Sequence, residues 1–260
     1  VAVQPRYSPA DEQRLMTEIW GSEISDNPLA FVRFAYPWGE KGPLERFSGP
    51  RKWQAEELER IAEHIVINKE RLRKGDFPIV YKSATSSGRG VGKSSLVAWL
   101  NHWLMSCVLG ATSITTANTE VQLKSRTWAE LKKWITLGIN GHWFERTALT
   151  MKPAAWFSEL LRDQLNIDDG YYYAQAQLWS EENPDAFAGA HNHYGMMYLF
   201  DEASGIPANI WSVVQGVYTE PILHRYWFCF SNPRRPTGEF FECFHSAKEY
   251  WYTRNLDSRT

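Results

Sequence analysis

Residues 86–95 read Ser86-Ser87-Gly88-Arg89-Gly90-Val91-Gly92-Lys93-Ser94-Ser95, after the apolar run Ile79-Val80-Tyr81 and before a long helical pattern. A glycine-rich loop at a strand-to-helix junction can turn its backbone N–H groups inward around phosphate oxygens, and the helix N-terminus adds its dipole. In such a loop Lys93 reaches the β- and γ-phosphates of a nucleotide and the Ser94 hydroxyl ligates Mg²⁺. Ser87, Gly88, Arg89, Gly90, Val91, Gly92, Lys93, Ser94 and Ser95 are therefore the candidate nucleotide-binding residues. One departure stands out: Ser87 occupies the place of the usual first glycine, and Gly88 lies one position on. A glycine turn that merely caps a helix is the plainer reading, but it does not require Gly-Lys-Ser.

Working outward, short apolar runs alternate with helical patterns from Pro78 onward. Strands are expected at 79–83, 113–117, 171–177, 196–200 and 226–230. Helices are expected at 93–107, 120–136, 155–164, 181–188 and 210–217. This alternation predicts an α/β fold with a mainly parallel central sheet flanked by helices. The glycine-rich loop, together with an acidic strand end at Asp201 and Glu202, makes it a P-loop NTPase of the ASCE or RecA-like kind. Upstream, Trp53, Leu58, Ile61, Ala62, Ile65 and Val66 recur at helical spacing, which predicts a helix over 51–73. Residues 1–50, rich in Pro, Gly and aromatics with a short helical pattern at 11–20, read as an arm or lid. The ATPase domain is then 51–260.

Composition sets the outer bounds. The chain has 260 residues, 43% hydrophobic and 22% charged, which suits a globular domain rather than a disordered one. With 28 basic against 30 acidic residues, bulk attraction to a polyanion is weak, so any nucleic-acid contact needs a local patch. The 13 tryptophans imply large aromatic clusters, in the core or on a binding face. Cys107, Cys229 and Cys243 lack metal-site spacing and fit reduced thiols. No run approaches the roughly 18 apolar residues of a membrane span. The opening Val1-Ala2-Val3-Gln4-Pro5 has no charged-then-apolar leader, so no secretory signal is expected.

Three further motifs carry chemistry. Met196-Met197-Tyr198-Leu199-Phe200-Asp201-Glu202 is an apolar strand ending in two acids. Asp201 suits the magnesium shell, and Glu202 suits the base that orients and deprotonates an attacking water. Phe228-Cys229-Phe230-Ser231-Asn232-Pro233 places an amide at the tip of the next strand, where Asn232 can sense the γ-phosphate and couple its loss to movement. An Asn-Pro turn is the plainer alternative. In Pro50-Arg51-Lys52-Trp53-Gln54, the Gln54 amide matches the N6 and N7 edge of adenine. Arg89, inside the loop, can stabilise charge developing on the γ-phosphoryl group, as an arginine finger does.

In this order the elements resemble the ATPase domain of the large terminase subunit of tailed bacteriophages, over roughly Phe47 to Thr260. Arg89 sits where that family's P-loop often carries a basic residue. Thr116-Ala117-Asn118-Thr119 with Gln122 is similar to the segment after the second strand. Asp201-Glu202-Ala203-Ser204-Gly205-Ile206 resembles the Walker B loop, and Ser231-Asn232-Pro233 with Thr237-Gly238-Glu239-Phe240-Phe241 the coupling motif. The resemblance implies a viral genome-packaging motor in the host cell cytoplasm. Its substrate would be ATP with Mg²⁺ and its track double-stranded DNA. It further implies a small terminase subunit and a portal protein as partners, and a homo-oligomeric ring when active. Large terminases usually continue into a nuclease domain, but no second set of acidic strand ends is visible here.

Two other classes compete. A superfamily 2-like helicase or remodeller would share the glutamine and the Asp-Glu pair, but about 165 residues after the loop are too few for two full lobes. A non-hydrolytic nucleotide-dependent clamp or scaffold would have no use for Glu202. Lesser features stay open: His191-x-His193 offers two metal ligands without an obvious third. Pro233-Arg234-Arg235-Pro236 is a basic turn suited to DNA phosphate, to a neighbour's nucleotide or to solvent. Arg126 and Lys132-Lys133 read as a solvated helix face.

Overall fold

The computed structural model describes residues 3–187 and 192–257. Its N-terminal part is helical: α1 Pro9–Trp20, the single turn α2 Ser22–Ser25, α3 Pro28–Ala35 and α4 Lys52–Arg73. Ser8 and Asn27 cap α1 and α3 by accepting from backbone N–H groups, and Pro9 and Pro28 follow them at the first helical position. The alternating part runs β1 Tyr81–Ser87, α5 Lys93–Cys107, β2 Thr112–Thr116, the short α6 Glu120–Gln122, a π-helical turn Leu123–Trp128 and α7 Ala129–Leu137. It continues with β3 Phe144–Arg146, β4 Thr150–Pro153, α8 Ala155–Leu165, β5 Tyr173–Ala176, β6 Gly195–Asp201 and α9 Ala208–Val217. The last elements are β7 His224–Ser231, α10 Glu239–Glu242 and β8 Tyr252–Leu256.

The strands form one sheet in the order β3-β4-β5-β2-β6-β7-β1-β8. All neighbours pair in parallel except β3–β4 and β4–β5. The expected α/β, mainly parallel architecture of a P-loop NTPase is thus the observed one. One strand, β7, lies between the P-loop strand β1 and the acid-bearing strand β6.

Strand alternation divides the core between the two faces. Met197 and Leu199 of β6, with Tyr226, Phe228 and Phe230 of β7, pack into the larger cluster beneath α1, α3, α4, α5, α7 and α8. Met196, Tyr198 and Phe200, with Trp227 and Cys229, pack on the other face against Ile210, Trp211 and Val214 of α9. Both clusters use tryptophan: Trp99 meets Trp134 edge to face at 4.9 Å, and Trp211 lies 5.2 Å from Trp227.

Several sequence expectations need adjustment. The helix expected at 120–136 is interrupted by the π turn, whose shifted hydrogen bonding does not show in apolar spacing. The helix expected at 181–188 is a short 3₁₀ turn, Pro184–Phe187, and Ala188 lies outside the described residues. Val66, expected on the apolar face of α4, is 65% exposed, because it stands about 100° around the helix from buried Ile65. Within residues 1–50, expected as an arm or lid, helices α1 and α3 pack onto the rest of the chain. Leu15, Met16, Ile19, Phe31 and Val32 belong to the larger core.

Glu12 fastens that segment. Its buried carboxylate accepts from the backbone of Arg6 and Tyr7 at 3.1 and 3.0 Å, and from Trp143 Nε1 at 3.1 Å. It also lies 2.5 Å from His142 Nε2. Glu12→Ala would leave several donors buried without an acceptor. We expect a loss of about 3 kcal/mol in urea-induced unfolding. A loss below about 1 kcal/mol would show that the N-terminal helices lie outside the cooperative unit.

Candidate functional site

Parallel pairing brings the C-terminal ends of β1, β2, β6 and β7 to one edge of the sheet, where ligands of open α/β sheets bind. There the chain places the P-loop after β1, Asn118 after β2, Asp201 and Glu202 at the end of β6, and Asn232 after β7.

The loop is held from outside. Gly90 and Gly92 adopt φ of +79° and +92°, a left-handed conformation that favours glycine. Three donors from the start of α4 take three successive loop carbonyls. Arg51 Nη1 donates to Gly90 O at 2.9 Å, Trp53 Nε1 to Val91 O at 2.9 Å and Gln54 Nε2 to Gly92 O at 2.8 Å. A Cβ on Gly92 would come within 2.8 Å of Gln54 Nε2, so close packing as well as backbone conformation requires glycine here.

Gln54 is thus placed at the loop, but not as an open adenine reader. It is 2% exposed, its Oε1 accepts from its own helix's Arg51 N at 2.9 Å, and its Nε2 is committed to Gly92. Ser95 also differs from expectation. Its hydroxyl donates to Glu130 of α7 at 3.0 Å and so serves helix packing. Arg89 sits exposed at the loop tip with no side-chain partner among the described residues.

Lys93 lies among four oxygens: Ser87 Oγ and Gly88 O at 2.8 Å, Ser87 O at 3.3 Å and Asn232 Oδ1 at 3.3 Å. Ser87, the departure from the glycine pattern, therefore supplies a ligand for the lysine. Burial lowers the Lys93 pKa, opposed by the nearby charges of Asp201 and Glu202.

The two acids are held by residues that the sequence reading left without a role. Asp201 Oδ2 accepts from Thr127 Oγ1 at 2.7 Å, and its Oδ1 accepts from Glu202 N at 3.1 Å. Burial raises the Asp201 pKa, and the Thr127 hydrogen bond opposes this. Thr127 belongs to the π turn, a feature that recurs at functional sites, and this is the signal that helical spacing concealed. Glu202 is one of two non-glycine residues at positive φ among those described, at 56°. Gln122 Nε2 donates to its carboxylate at 3.0 Å and Asn118 Nδ2 to its carbonyl at 3.0 Å. Ser94 and Asp201 supply oxygen donors of the kind Mg²⁺ takes. No group of three or more His, Cys, Asp or Glu suited to an all-protein metal site occurs among the described residues.

Of the histidine pair, His191 lies outside the described residues, and His193 Nδ1 is 2.8 Å from Glu220. Lys133 pairs with Glu130 at 3.4 Å on α7, consistent with a solvated face.

Comparison with known proteins adds to this geometry. No family model matches the chain. The probable terminase large subunit of Enterobacteria phage P7 is 25% identical over 164 residues, 63% of this chain and 31% of the relative. The chain thus spans about a third of the length of that curated relative. Among solved structures, the HK97 bacteriophage large terminase is similar with a TM-score of 0.50 at 12% identity, over 89% of this chain and 43% of that one. A mutant of the Thermus phage P74-26 large terminase ATPase domain gives 0.43 at 15% identity, over 67% and 75%. The resemblance drawn from the motifs is therefore supported in sequence, and the HK97 likeness extends it to the fold.

The two readings of Gln54 part on base selectivity. If it braces the loop, Gln54→Ala should weaken ATP and GTP binding alike, by roughly three- to tenfold, the worth of about one hydrogen bond. Competition binding with both nucleotides measures this. A loss confined to ATP would return Gln54 to adenine recognition.

Proposed function

We propose that this chain is the motor domain of a viral genome-packaging machine, coupling ATP hydrolysis to translocation of double-stranded DNA into a procapsid. The single observation that carries the reading is the convergence of a braced P-loop lysine, a paired Asp-Glu strand end and a strand-tip asparagine at one sheet edge. In this reading residues 51–260 form the ATPase domain and act in a ring. The small terminase subunit and portal protein are its partners, and the host cytoplasm its location.

The chemistry follows from the site. Loop N–H groups and Lys93 bind the β- and γ-phosphates and stabilise the charge that develops on them. Ser94 and Asp201 would hold Mg²⁺, which when bound would neutralise phosphate charge. Glu202, steadied by Gln122, takes a proton from the attacking water. Arg89, free at the loop tip, is available to swing toward the γ-phosphate once DNA or a neighbour engages. Asn232, through its contact with Lys93, links nucleotide state to the segment that follows Pro233.

The test is ATP turnover with and without duplex DNA. Lys93→Ala should abolish turnover and weaken nucleotide binding, whereas Glu202→Gln should bind ATP yet lose at least about a hundredfold in rate. Arg89→Ala should keep ATP affinity within a few-fold and lose the DNA-stimulated rate. Wild-type turnover in Lys93→Ala would remove the reading, and strand displacement without translocation would point to a helicase instead.

Asn232→Ala separates coupling from chemistry. We expect measurable hydrolysis but little packaging when both rates are followed in one preparation, with any further domains of the native protein present. Proportional loss of both rates would make Asn232 a positioning residue for hydrolysis.

A further inference from the structure

Beside the acids lies a cavity of about 100 Å³, lined by Asn118, Glu202, Ser204, Asn232, Arg234 and Arg235 among others. None of residues 87–95 lines it, so it is not the cradle for the nucleotide's phosphate chain. It shares two walls with that cradle. Glu202 stands where the attacking water would be activated, and Asn232 touches Lys93 at 3.3 Å.

We propose that this cavity receives the inorganic phosphate released by hydrolysis, and that Arg234 and Arg235 hold it on the way out. The proposal rests on the ATPase reading above and deepens it. Neither guanidinium has an ion-pair or hydrogen-bond partner among the described residues, so both are available to an anion. They sit on a turn bounded by Pro233 and Pro236 and closed by the Arg234 N to Asn232 O hydrogen bond at 2.8 Å. Paired guanidiniums match phosphate oxygens in geometry as well as charge. Because Asn232 presents Oδ1 to Lys93, its Nδ2 remains a free donor. Asn118 also lines the cavity, its Nδ2 donating to the Glu202 carbonyl at 3.0 Å.

The Glu202 carboxylate forms one wall and opposes an anion there, so the two guanidiniums must outweigh it. On hydrolysis the water oxygen bonds to the γ-phosphorus, the bond to the bridging oxygen breaks with its electron pair leaving on ADP, and the water's proton passes to Glu202.

Titration with inorganic phosphate in the presence of ADP, read by ³¹P line broadening, tests this without turnover. The Arg234→Gln/Arg235→Gln double variant should weaken phosphate binding by roughly tenfold or more, and Glu202→Gln should tighten it by roughly tenfold. Single-turnover ATP cleavage in the double variant should stay within a few-fold of wild type, with the delay between cleavage and phosphate release altered. Unchanged phosphate affinity in the double variant, or unchanged affinity in Glu202→Gln, would overturn the proposal. Lost cleavage with phosphate affinity intact would also overturn it, by assigning the arginines to the transition state. If wild type failed to hydrolyse ATP while the titrations behaved as stated, the hydrolytic reading would fall and the anion site would stand.

Discussion

The carbonyl oxygens of Gly90, Val91 and Gly92 are each fixed by a donor from the first turn of α4. A trans peptide unit is planar, so a carbonyl held to one side turns the following N–H to the other. Three outward carbonyls thus turn the N–H groups of Val91, Gly92 and Lys93 away from α4, toward the side where the proposed phosphate would lie. A loop free to collapse would satisfy those carbonyls by turning inward and lose the face that the proposed function assigns to phosphate. The brace prevents this, and it explains why a helix that precedes the loop by nearly forty residues is packed beside it. Preorganisation of this kind is where electrostatic stabilisation of phosphoryl transfer gains its magnitude.

The acids depend on a comparable arrangement. Glu202 occupies a left-handed backbone conformation at a cost of about 1–3 kcal/mol, tolerated because its surroundings over-determine it. Asn118 holds its carbonyl, and Gly205 packs so closely on Asn118 that an added Cβ would lie 2.3 Å from Nδ2. Gln122 holds the carboxylate itself. The strained turn aims Asp201 and Glu202 differently, so adjacent acids can take separate roles.

Much of this was legible in the sequence because glycine, lysine and paired acids have few other reasons to stand at strand ends. The P-loop helix α5 has the expected bounds, and five strands lie within two residues of their expected starts. What escaped has identifiable causes. The strand β8 is Tyr-Thr-Arg-Asn-Leu on a sheet edge, held by parallel pairing to β1 and by the Arg254–Glu56 ion pair at 2.6 Å, so no apolar run marks it. The antiparallel β3 and β4 are only three and four residues long. Gln54, expected to read adenine, instead bonds Arg51 N and Gly92 O, because a motif cannot say which of two nearby partners an amide will choose. Thr127 was invisible because a π turn places it opposite Asp201 at a spacing that ordinary helical periodicity does not contain.

Lys93 joins the halves of the site. Its ammonium has three donors and faces four acceptors, from Ser87, Gly88 and Asn232, in a partly desolvated position. On the proposed ATPase reading, a phosphate chain entering the loop offers more negative charge than any of these neutral oxygens, so the ammonium would exchange ligands as nucleotide binds. Asn232 Oδ1 is among the two longest of the four contacts and comes from a different strand, which makes it the ligand most easily surrendered. Once released, its amide can turn toward the terminal phosphate or the neighbouring cavity. The Ser-for-Gly change at position 87 strengthens the resting state, since its hydroxyl gives the lysine a partner that glycine lacks. Binding of nucleotide and release of the β7 tip are then two sides of one exchange of acceptors, which is the physical form coupling between chemistry and movement would take in this fold.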